Sequence, residues 1–317
     1  MRKPLTIIAV IIVILVIGGG AAQYLMRNDS GPLGGLGDDK SDQTEETEAT
    51  EAAPEVPSQP EWCPAYEFIS APGTWESAPD DDPLNPQANS RSFMLSITNP
   101  LKETFTEDQV RVWTLPYTAQ FKSVQSQQEM SYDDSRNEGR AKLEAELQWL
   151  HGECPQTQFI LAGFSQGAVI VGDIADEIGG GTGVIPAESV AGVVAIADGR
   201  RENGVGINPG VDLGGIGAEI ALQPVTGLVQ LVVPGASMRG ARPNDFGALA
   251  DRTYQICAPS DSICDAPHNI GNAAERALEL IDANGIHAIY ASNDNVIPGT
   301  TTNQWVVGWA SDIINQG

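Results

Sequence analysis

The sequence is short of basic residues, and this shortage limits what the protein can bind. Its 317 residues include 17 lysines and arginines against 42 aspartates and glutamates, which gives a net charge of −25. Proteins that bind nucleic acid need clustered positive charge against the phosphates. No Walker or Rossmann glycine pattern follows an apolar run either. These absences exclude nucleic acid as a partner and leave no motif for a nucleotide cofactor.

Histidine and cysteine are also scarce, and their spacing argues against a metal site. The three histidines are scattered, and the four cysteines form no Cys-x-x-Cys pair. Four cysteines fit a compartment where disulfide bonds persist. Cys257 and Cys264 are close enough in sequence to close a small loop, which would leave Cys63 and Cys154 to pair. Because four cysteines allow three pairings, the sequence alone does not settle the connectivity.

Charge is missing from residues 4–26, which follow Arg2 and Lys3. As a helix, residues 6–25 would span about 30 Å, the thickness of a hydrocarbon core. The basic residues before them favour a cytoplasmic N-terminus. We therefore expect a transmembrane anchor over residues 1–27 and a catalytic domain outside the cytoplasm. The alternative is a cleaved signal peptide with its small residues at 18–22, which would make the protein secreted.

Residues 28–61 are rich in Asp, Glu, Gly, Ser, Thr and Pro, and Lys40 is their only basic residue. Such a segment repels itself and has too few apolar side chains to bury a core. The sequence therefore predicts a disordered acidic linker here. The folded domain is expected over residues 62–317.

Within this domain, apolar runs typical of strands alternate with segments of helical periodicity. The expected elements are strands at 67–71, 109–115, 157–162, 189–197 and 252–256, and helices at 132–150, 168–175 and 269–284. This alternation predicts an α/β fold with a mostly parallel sheet covered on both faces. A glycine-rich insertion at about 200–242 interrupts this alternation of strands and helices. It has two interpretations, an active-site cover or acyl-chain groove and a structural insertion packed on the sheet.

One serine stands in a context typical of a nucleophile. The pentapeptide Gly163-Phe164-Ser165-Gln166-Gly167 lies between the third expected strand and a helix. Strand, Gly-x-Ser-x-Gly and helix together describe a nucleophile elbow. The helix N-terminus behind Ser165 offers N–H groups and partial positive charge to a developing oxyanion. The sequence thus favours catalysis at Ser165 over an ordinary glycine-rich turn.

A serine hydroxyl needs a neighbouring base to become a nucleophile. His268 and His287 both follow Ser165 in the chain order Ser–acid–His of α/β-hydrolases, so order alone does not choose between them. His151 lies upstream of the elbow, and we expect it to be structural. The base in turn needs an acid to orient it. Asp261, between two cysteines, is the candidate, and Asp198 is its rival.

Three separated motifs resemble those of the cutinase family of serine esterases. They are the elbow, the Cys-x-x-x-Asp-x-Ile-Cys loop at 257–264 and the His-x-x-Tyr pattern at 287–290. The resemblance covers the chain from residue 63 onward and implies an α/β-hydrolase fold with a central, mostly parallel sheet.

The resemblance also implies roles for single residues. By that match Ser165 is the nucleophile, Asp261 the acid and His287 the base, since His287 carries the His-x-x-Tyr pattern. The family's oxyanion hole would correspond to the main-chain N–H of Gln166 and the hydroxyl of Thr74, which follows the first strand. No cofactor is required by this chemistry.

The family's two disulfide bonds correspond to Cys63–Cys154 and Cys257–Cys264. The chain departs from secreted fungal members in its expected anchor, its linker, its glycine-rich insertion and a longer stretch between Asp261 and His287. The last of these departures bears on the choice of base.

Residues 69–77 and 80–83 are most similar to membrane-anchored cutinase-like proteins of mycolic-acid-containing actinobacteria. This resemblance implies a serine esterase that hydrolyses acyl esters or thioesters of cell-envelope lipids, as a lipase, phospholipase or thioesterase does. We expect a monomer whose partners are the lipid substrate and, through the N-terminal helix, the membrane. Two other functions stay open: an envelope acyltransferase with the same residues, and a catalytically inactive envelope-binding protein.

Overall fold

The computed structural model describes residues 59–269, 271, 273–282 and 285–317. The expected anchor at 1–27 and nearly all of the expected linker at 28–61 lie outside the described residues, so both stay predictions. Within the described part of the chain, no helix combines the length and the apolar character needed to cross a bilayer.

A five-stranded parallel sheet forms the centre of the described residues. The strands run in the order β2-β1-β3-β4-β5, and every neighbouring pair is parallel. Their bounds are β1 Tyr66–Ala71, β2 Val110–Thr114, β3 Gln158–Phe164, β4 Val190–Ile196 and β5 Thr253–Ile256. The expected strands lie within two residues of these bounds. The prediction of an α/β fold with a central parallel sheet is therefore confirmed.

Helices cover both faces of the sheet. In the described residues these are α1 Leu95–Thr104, α2 Tyr132–Glu153, α3 Gln166–Gly179, α4 Ala218–Ala221, α5 Thr226–Val229, α6 Ala273–Asp282 and α7 Thr302–Gln316, with 3-10 turns at Ala187–Ser189, Gln223–Val225 and Gly247–Arg252. Successive strand residues point to opposite faces. In β1, Phe68 packs in the cluster that contains α1 and α7, whereas Ile69 packs in the cluster that contains α2 and α3.

Helix α1 was not predicted from the sequence. It contains Pro100, which removes one backbone donor and is usually confined to the first turn of a helix. The buried residues Ile97 and Leu101 lie in the same apolar cluster as α7. Tertiary packing therefore stabilises a helix that local propensity disfavours.

The glycine-rich segment at 200–242 packs mainly on helices. Its apolar residues Val229 and Val233 share a cluster with Ala273 and Ala277 of α6. The segment also contacts the sheet through a parallel bridge between Ile207 and Tyr254 beside β5, where Ile207 exchanges main-chain hydrogen bonds with Thr253 and Gln255. The segment therefore packs both on α6 and beside β5.

Arginines tie the same segment to α3. Arg200, Arg239 and Arg242 all form ion pairs with the buried carboxylate of Asp173. Burial alone would raise the pKa of Asp173, but the three guanidinium groups hold that pKa well below its ordinary value. The segment is therefore fastened to the helix that begins directly after Ser165.

All four cysteines lie in the described residues and form the disulfide bonds Cys63–Cys154 and Cys257–Cys264. The first joins positions 91 residues apart and the second positions 7 residues apart. In the chain-entropy model, loops of these lengths stabilise a fold by about 4–5 and about 2 kcal/mol respectively.

Replacing both Cys63 and Cys154 by alanine is expected to lower the free energy of unfolding by about 4–5 kcal/mol. The matched change at Cys257 and Cys264 is expected to lower it by only about half as much, because the closed loop is shorter. Urea denaturation of the two double variants measures both values. Equal losses, or a larger loss for the short loop, would contradict the loop-entropy explanation.

Candidate active site

Ser165 lies at a sharp turn between β3 and α3. Its φ of 54° and ψ of −116° are unusual for a residue with a side chain. At Gly167, an added Cβ would overlap the carbonyl oxygen of Ala71 at the end of β1. The glycine lets the helix start approach the neighbouring strand, and the strained serine is held at the carboxyl edge of the sheet.

The structure brings His287 and Asp261 to this serine. His287 Nε2 lies 2.9 Å from Ser165 Oγ, and His287 Nδ1 lies 2.9 Å from Asp261 Oδ2. The carboxylate of Asp261 is fully buried, whereas His287 is partly exposed toward the cleft. A hydroxyl, an imidazole and a carboxylate thus form one continuous hydrogen-bonded chain.

Asp261 is held in place from several sides. Its loop follows β5 and is closed by the Cys257–Cys264 bond. The main-chain N–H of Ile263 donates to Oδ1 at 3.0 Å, and the hydroxyl of Tyr290 donates to Oδ2 at 2.7 Å. These bonds fix the carboxylate in the orientation that faces the imidazole.

Tyr290, the last residue of the His-x-x-Tyr pattern, holds the carboxylate of Asp261 through its hydroxyl. It is buried, and its hydroxyl oxygen accepts the N–H of Ala258 at 2.9 Å while donating to Asp261. Burial raises the pKa of Tyr290 well above its ordinary value, and the charge of Asp261 raises it further. The phenol therefore stays protonated and remains a donor to the acid. Sequence reasoning identified Tyr290 only as part of a pattern.

The rival residues lie elsewhere. His268 is exposed, and its Nε2 is 3.0 Å from the carbonyl oxygen of Gly214. His151, on α2, faces the hydroxyl of Ser189 at 3.4 Å. Asp198 is buried and pairs with Arg242. Each rival is therefore engaged with groups other than Ser165 and His287.

Thr74 and Gln166 meet beside the serine. Thr74 follows β1, Gln166 is the first residue of α3, and Thr74 Oγ1 lies 3.2 Å from Gln166 Oε1. The main-chain N–H of Gln166 belongs to the free N-terminal turn of the helix, where backbone donors lack intrahelical partners. Both of the residues expected to bind an oxyanion are thus next to Ser165.

Glu76 secures the loop that carries Thr74, and sequence reasoning did not single it out. Its carboxylate accepts N–H groups from Gly73 at 3.0 Å and Phe93 at 2.8 Å, and the hydroxyl of Ser92 at 3.2 Å. Burial raises the pKa of Glu76, while these hydrogen bonds oppose the rise. A single sequence carries no signal for this role, because two of the three donors come from residues far along the chain.

A cleft of about 620 Å³ opens over Ser165. Its apolar lining includes Phe93, Phe121, Val169, Met238, Leu280 and Ile281. The glycine-rich segment contributes Ala218, Glu219 and Met238, so it forms part of the cleft wall. Volumes of about 300–1,000 Å³ and mostly apolar linings are typical of sites for small organic ligands. Within the described ranges, no three His, Cys, Asp or Glu side chains lie close enough to share a metal ion.

Comparisons with known proteins identify the family and the fold. The cutinase family model matches residues 62–292, which is well over half of the chain. The carboxylesterase Culp6 homolog of Corynebacterium glutamicum is 59% identical over 317 residues, and the match covers 100% of both chains. The solved structure of a cutinase-like protein from Cryptococcus sp. is similar with a TM-score of 0.50 at 19% identity, covering 81% of this chain and 98% of that one. The last comparison shows the fold alone. The resemblance inferred from the motifs is confirmed, and the chain belongs to the cutinase family of carboxylic ester hydrolases.

Proposed function

We propose that this esterase works through Ser165, His287 and Asp261. His287 Nε2 takes the hydroxyl proton as Ser165 Oγ attacks the acyl carbonyl, and Asp261 orients the imidazole and stabilises its charged form. The imidazolium then gives the proton to the leaving alcohol or thiol, which departs and leaves an acyl-enzyme. Water hydrolyses this ester by the same steps in turn. The observation that carries the proposal is the hydrogen-bonded chain from Ser165 to Asp261.

The negative charge that develops on the carbonyl oxygen needs donors. The main-chain N–H of Gln166 and the hydroxyl of Thr74 are the proposed pair, because both lie beside Ser165. Donors fixed in advance stabilise the transition state without reorganising during the reaction. The hydrogen bonds that Glu76 accepts from Gly73 and Phe93 supply this rigidity.

The proposed substrates are acyl esters or thioesters of cell-envelope lipids. Support comes from the apolar lining of the cleft, which suits an acyl chain. The envelope as the source of substrate rests on the expected anchor at 1–27 and linker at 28–61, together with the two disulfide bonds. Tethering would raise the effective concentration of enzyme at the membrane.

Incubation of the intact chain in detergent with vesicles of envelope lipid tests this substrate class. We expect release of free fatty acid both with and without an added sugar as acceptor. Mass spectrometry detects the released acid. Transfer of acyl groups to the sugar in preference to water would identify an acyltransferase instead. Lack of turnover, together with failure of a fluorophosphonate to label Ser165, would identify a non-catalytic envelope protein.

Replacing Thr74 by alanine is expected to lower kcat by about 10²–10³-fold, the usual cost of removing one oxyanion donor. KM should change little, because the oxyanion is absent from the bound ground state. Kinetics on p-nitrophenyl butyrate measure both parameters. Thr74→Ser keeps the hydroxyl and is the matched control. If the serine variant loses as much kcat as the alanine variant, the hydroxyl is not the donor.

A further inference from the structure

The side chain of Gln166 is buried at the active site with half of its hydrogen-bonding capacity unused. Gln166 is 2% exposed. Its Oε1 faces Thr74 Oγ1 at 3.2 Å and the hydroxyl of Tyr117 at 3.4 Å. Its Nε2 has no hydrogen-bond partner among the described residues. A buried donor without an acceptor costs about 1–3 kcal/mol, so this arrangement needs an explanation.

The number of hydroxyl hydrogens around Gln166 explains the unpartnered Nε2. Tyr117 has a single hydroxyl hydrogen, and the carbonyl oxygen of Pro72, at 2.7 Å, is its nearer acceptor. Burial raises the pKa of Tyr117 well above its ordinary value, and nearby Glu76 and Glu138 raise it further, so the phenol keeps that hydrogen. Toward Gln166, the Tyr117 oxygen can therefore act only as an acceptor.

Thr74 also has only one hydroxyl hydrogen, and two acceptors compete for it. If its single hydroxyl hydrogen is donated to Gln166 Oε1, none remains for an oxyanion in the cleft. Rotating the amide of Gln166 by half a turn exchanges its nitrogen and oxygen. The two N–H hydrogens then point at the oxygens of Thr74 and Tyr117, and the Thr74 hydrogen is released. Two unpartnered donors are replaced by one unpartnered acceptor, which is the less costly defect.

We infer that Gln166 is a positioning residue whose side-chain N–H groups orient the Thr74 hydroxyl toward the reacting carbonyl. The inference rests on the proposed function, since it assigns the direction of a hydrogen bond within the proposed oxyanion hole. Gln166 then acts twice, by donating its own main-chain N–H and by aiming the second donor. Tyr117 locks the amide, because it accepts one N–H while its own hydrogen is held by Pro72.

The test uses Gln166→Glu, which keeps the shape and removes the N–H groups. An ionised carboxylate accepts the Thr74 hydrogen and draws it away from the cleft. We expect kcat on p-nitrophenyl butyrate to fall by about tenfold to 10²-fold, below the cost of deleting a donor outright, with KM little changed. The loss should grow as pH rises through the pKa of the new carboxyl, because the protonated form can still donate to Thr74. The wild-type rate lacks this additional pH dependence.

A double-mutant cycle separates positioning from a general structural effect. In a Thr74→Ala background, Gln166→Met is expected to cause almost no further loss, because the effect of losing the side-chain donors passes through the Thr74 hydroxyl. Methionine removes the donors without adding a charge that would itself repel the oxyanion. Gln255→Glu is the matched control. Gln255 is also a buried glutamine, but its Nε2 donates to Val205.

Full kcat in a folded Gln166→Glu enzyme, or equal losses from Gln166→Met with and without the Thr74 hydroxyl, would overturn the inference. A loss of kcat in Gln255→Glu as large as in Gln166→Glu would also overturn it, since burial of a carboxylate would then be the cause. The proposed function is tested separately by Ser165→Ala. Turnover surviving that change would remove the nucleophile itself, whereas the outcomes at Gln166 leave the nucleophile unaffected.

Discussion

Replacing Ser165 by alanine is expected to lower kcat on p-nitrophenyl butyrate by about 10⁶-fold, as is typical when a Ser-His-Asp enzyme loses its nucleophile. The reason is chemical: without Oγ no acyl-enzyme forms, and only binding and oxyanion stabilisation remain. These leave a residual acceleration of about 10³–10⁴ over water. KM should stay close to the wild-type value, because the cleft is unchanged.

The matched control for this change is Ser189→Ala. Ser189 also lies beside a histidine, with its hydroxyl 3.4 Å from His151 Nδ1. It lies outside the strained turn and the cleft, so its variant should keep full activity. Fluorophosphonate should label the Ser189→Ala protein and leave the Ser165→Ala protein unlabelled. Normal turnover by Ser165→Ala would refute the nucleophile assignment.

Replacing His287 by alanine is expected to cost a similar factor, about 10⁶-fold in kcat, because base and nucleophile act as a unit. Its Nε2 is the group within hydrogen-bond distance of Ser165 Oγ. The loss should not be additive with that of Ser165→Ala, since either change removes the same step. Kinetics of the two single variants and the double variant measure this.

His268→Ala is the control that bears on the choice left open by the sequence. His268 is exposed and faces Gly214, so its removal should leave kcat within the error of the assay. A loss equal to that of His287→Ala would mean that His268 reaches the serine during turnover. The base would then have to be reassigned.

The position of Ser165 at a tight strand-to-helix turn could be predicted because its signal is local. A strand, a tight turn and a helix follow one another within about twenty residues, and the two glycines are needed where backbones approach closely. The cysteines around Asp261 are equally local, since they are 7 residues apart. Alternating apolar runs likewise predict a parallel sheet, because buried strands carry their own pattern.

Other features depend on partners far apart in the chain. The charge cluster on Asp173 draws Arg200, Arg239 and Arg242 from residues spread over the glycine-rich segment. No periodicity marks such residues, since each looks like an ordinary surface arginine. Helix α1 is a similar case, because its Pro100 argues against a helix that only packing makes stable.

The sequence by itself thus determined the parallel α/β sheet, the serine at its carboxyl edge and the family, since each depends on short-range patterns of residue type. Residue order left His287 and His268 both open, and the family resemblance favoured His287. Only the tertiary structure placed His287, which is 122 residues from Ser165 in the chain, in hydrogen-bond contact with it. It also decided which residues hold Thr74, Asp261 and the cleft wall. The physical reason is that orientation is set by hydrogen bonds and packing between segments that come together only when the chain folds.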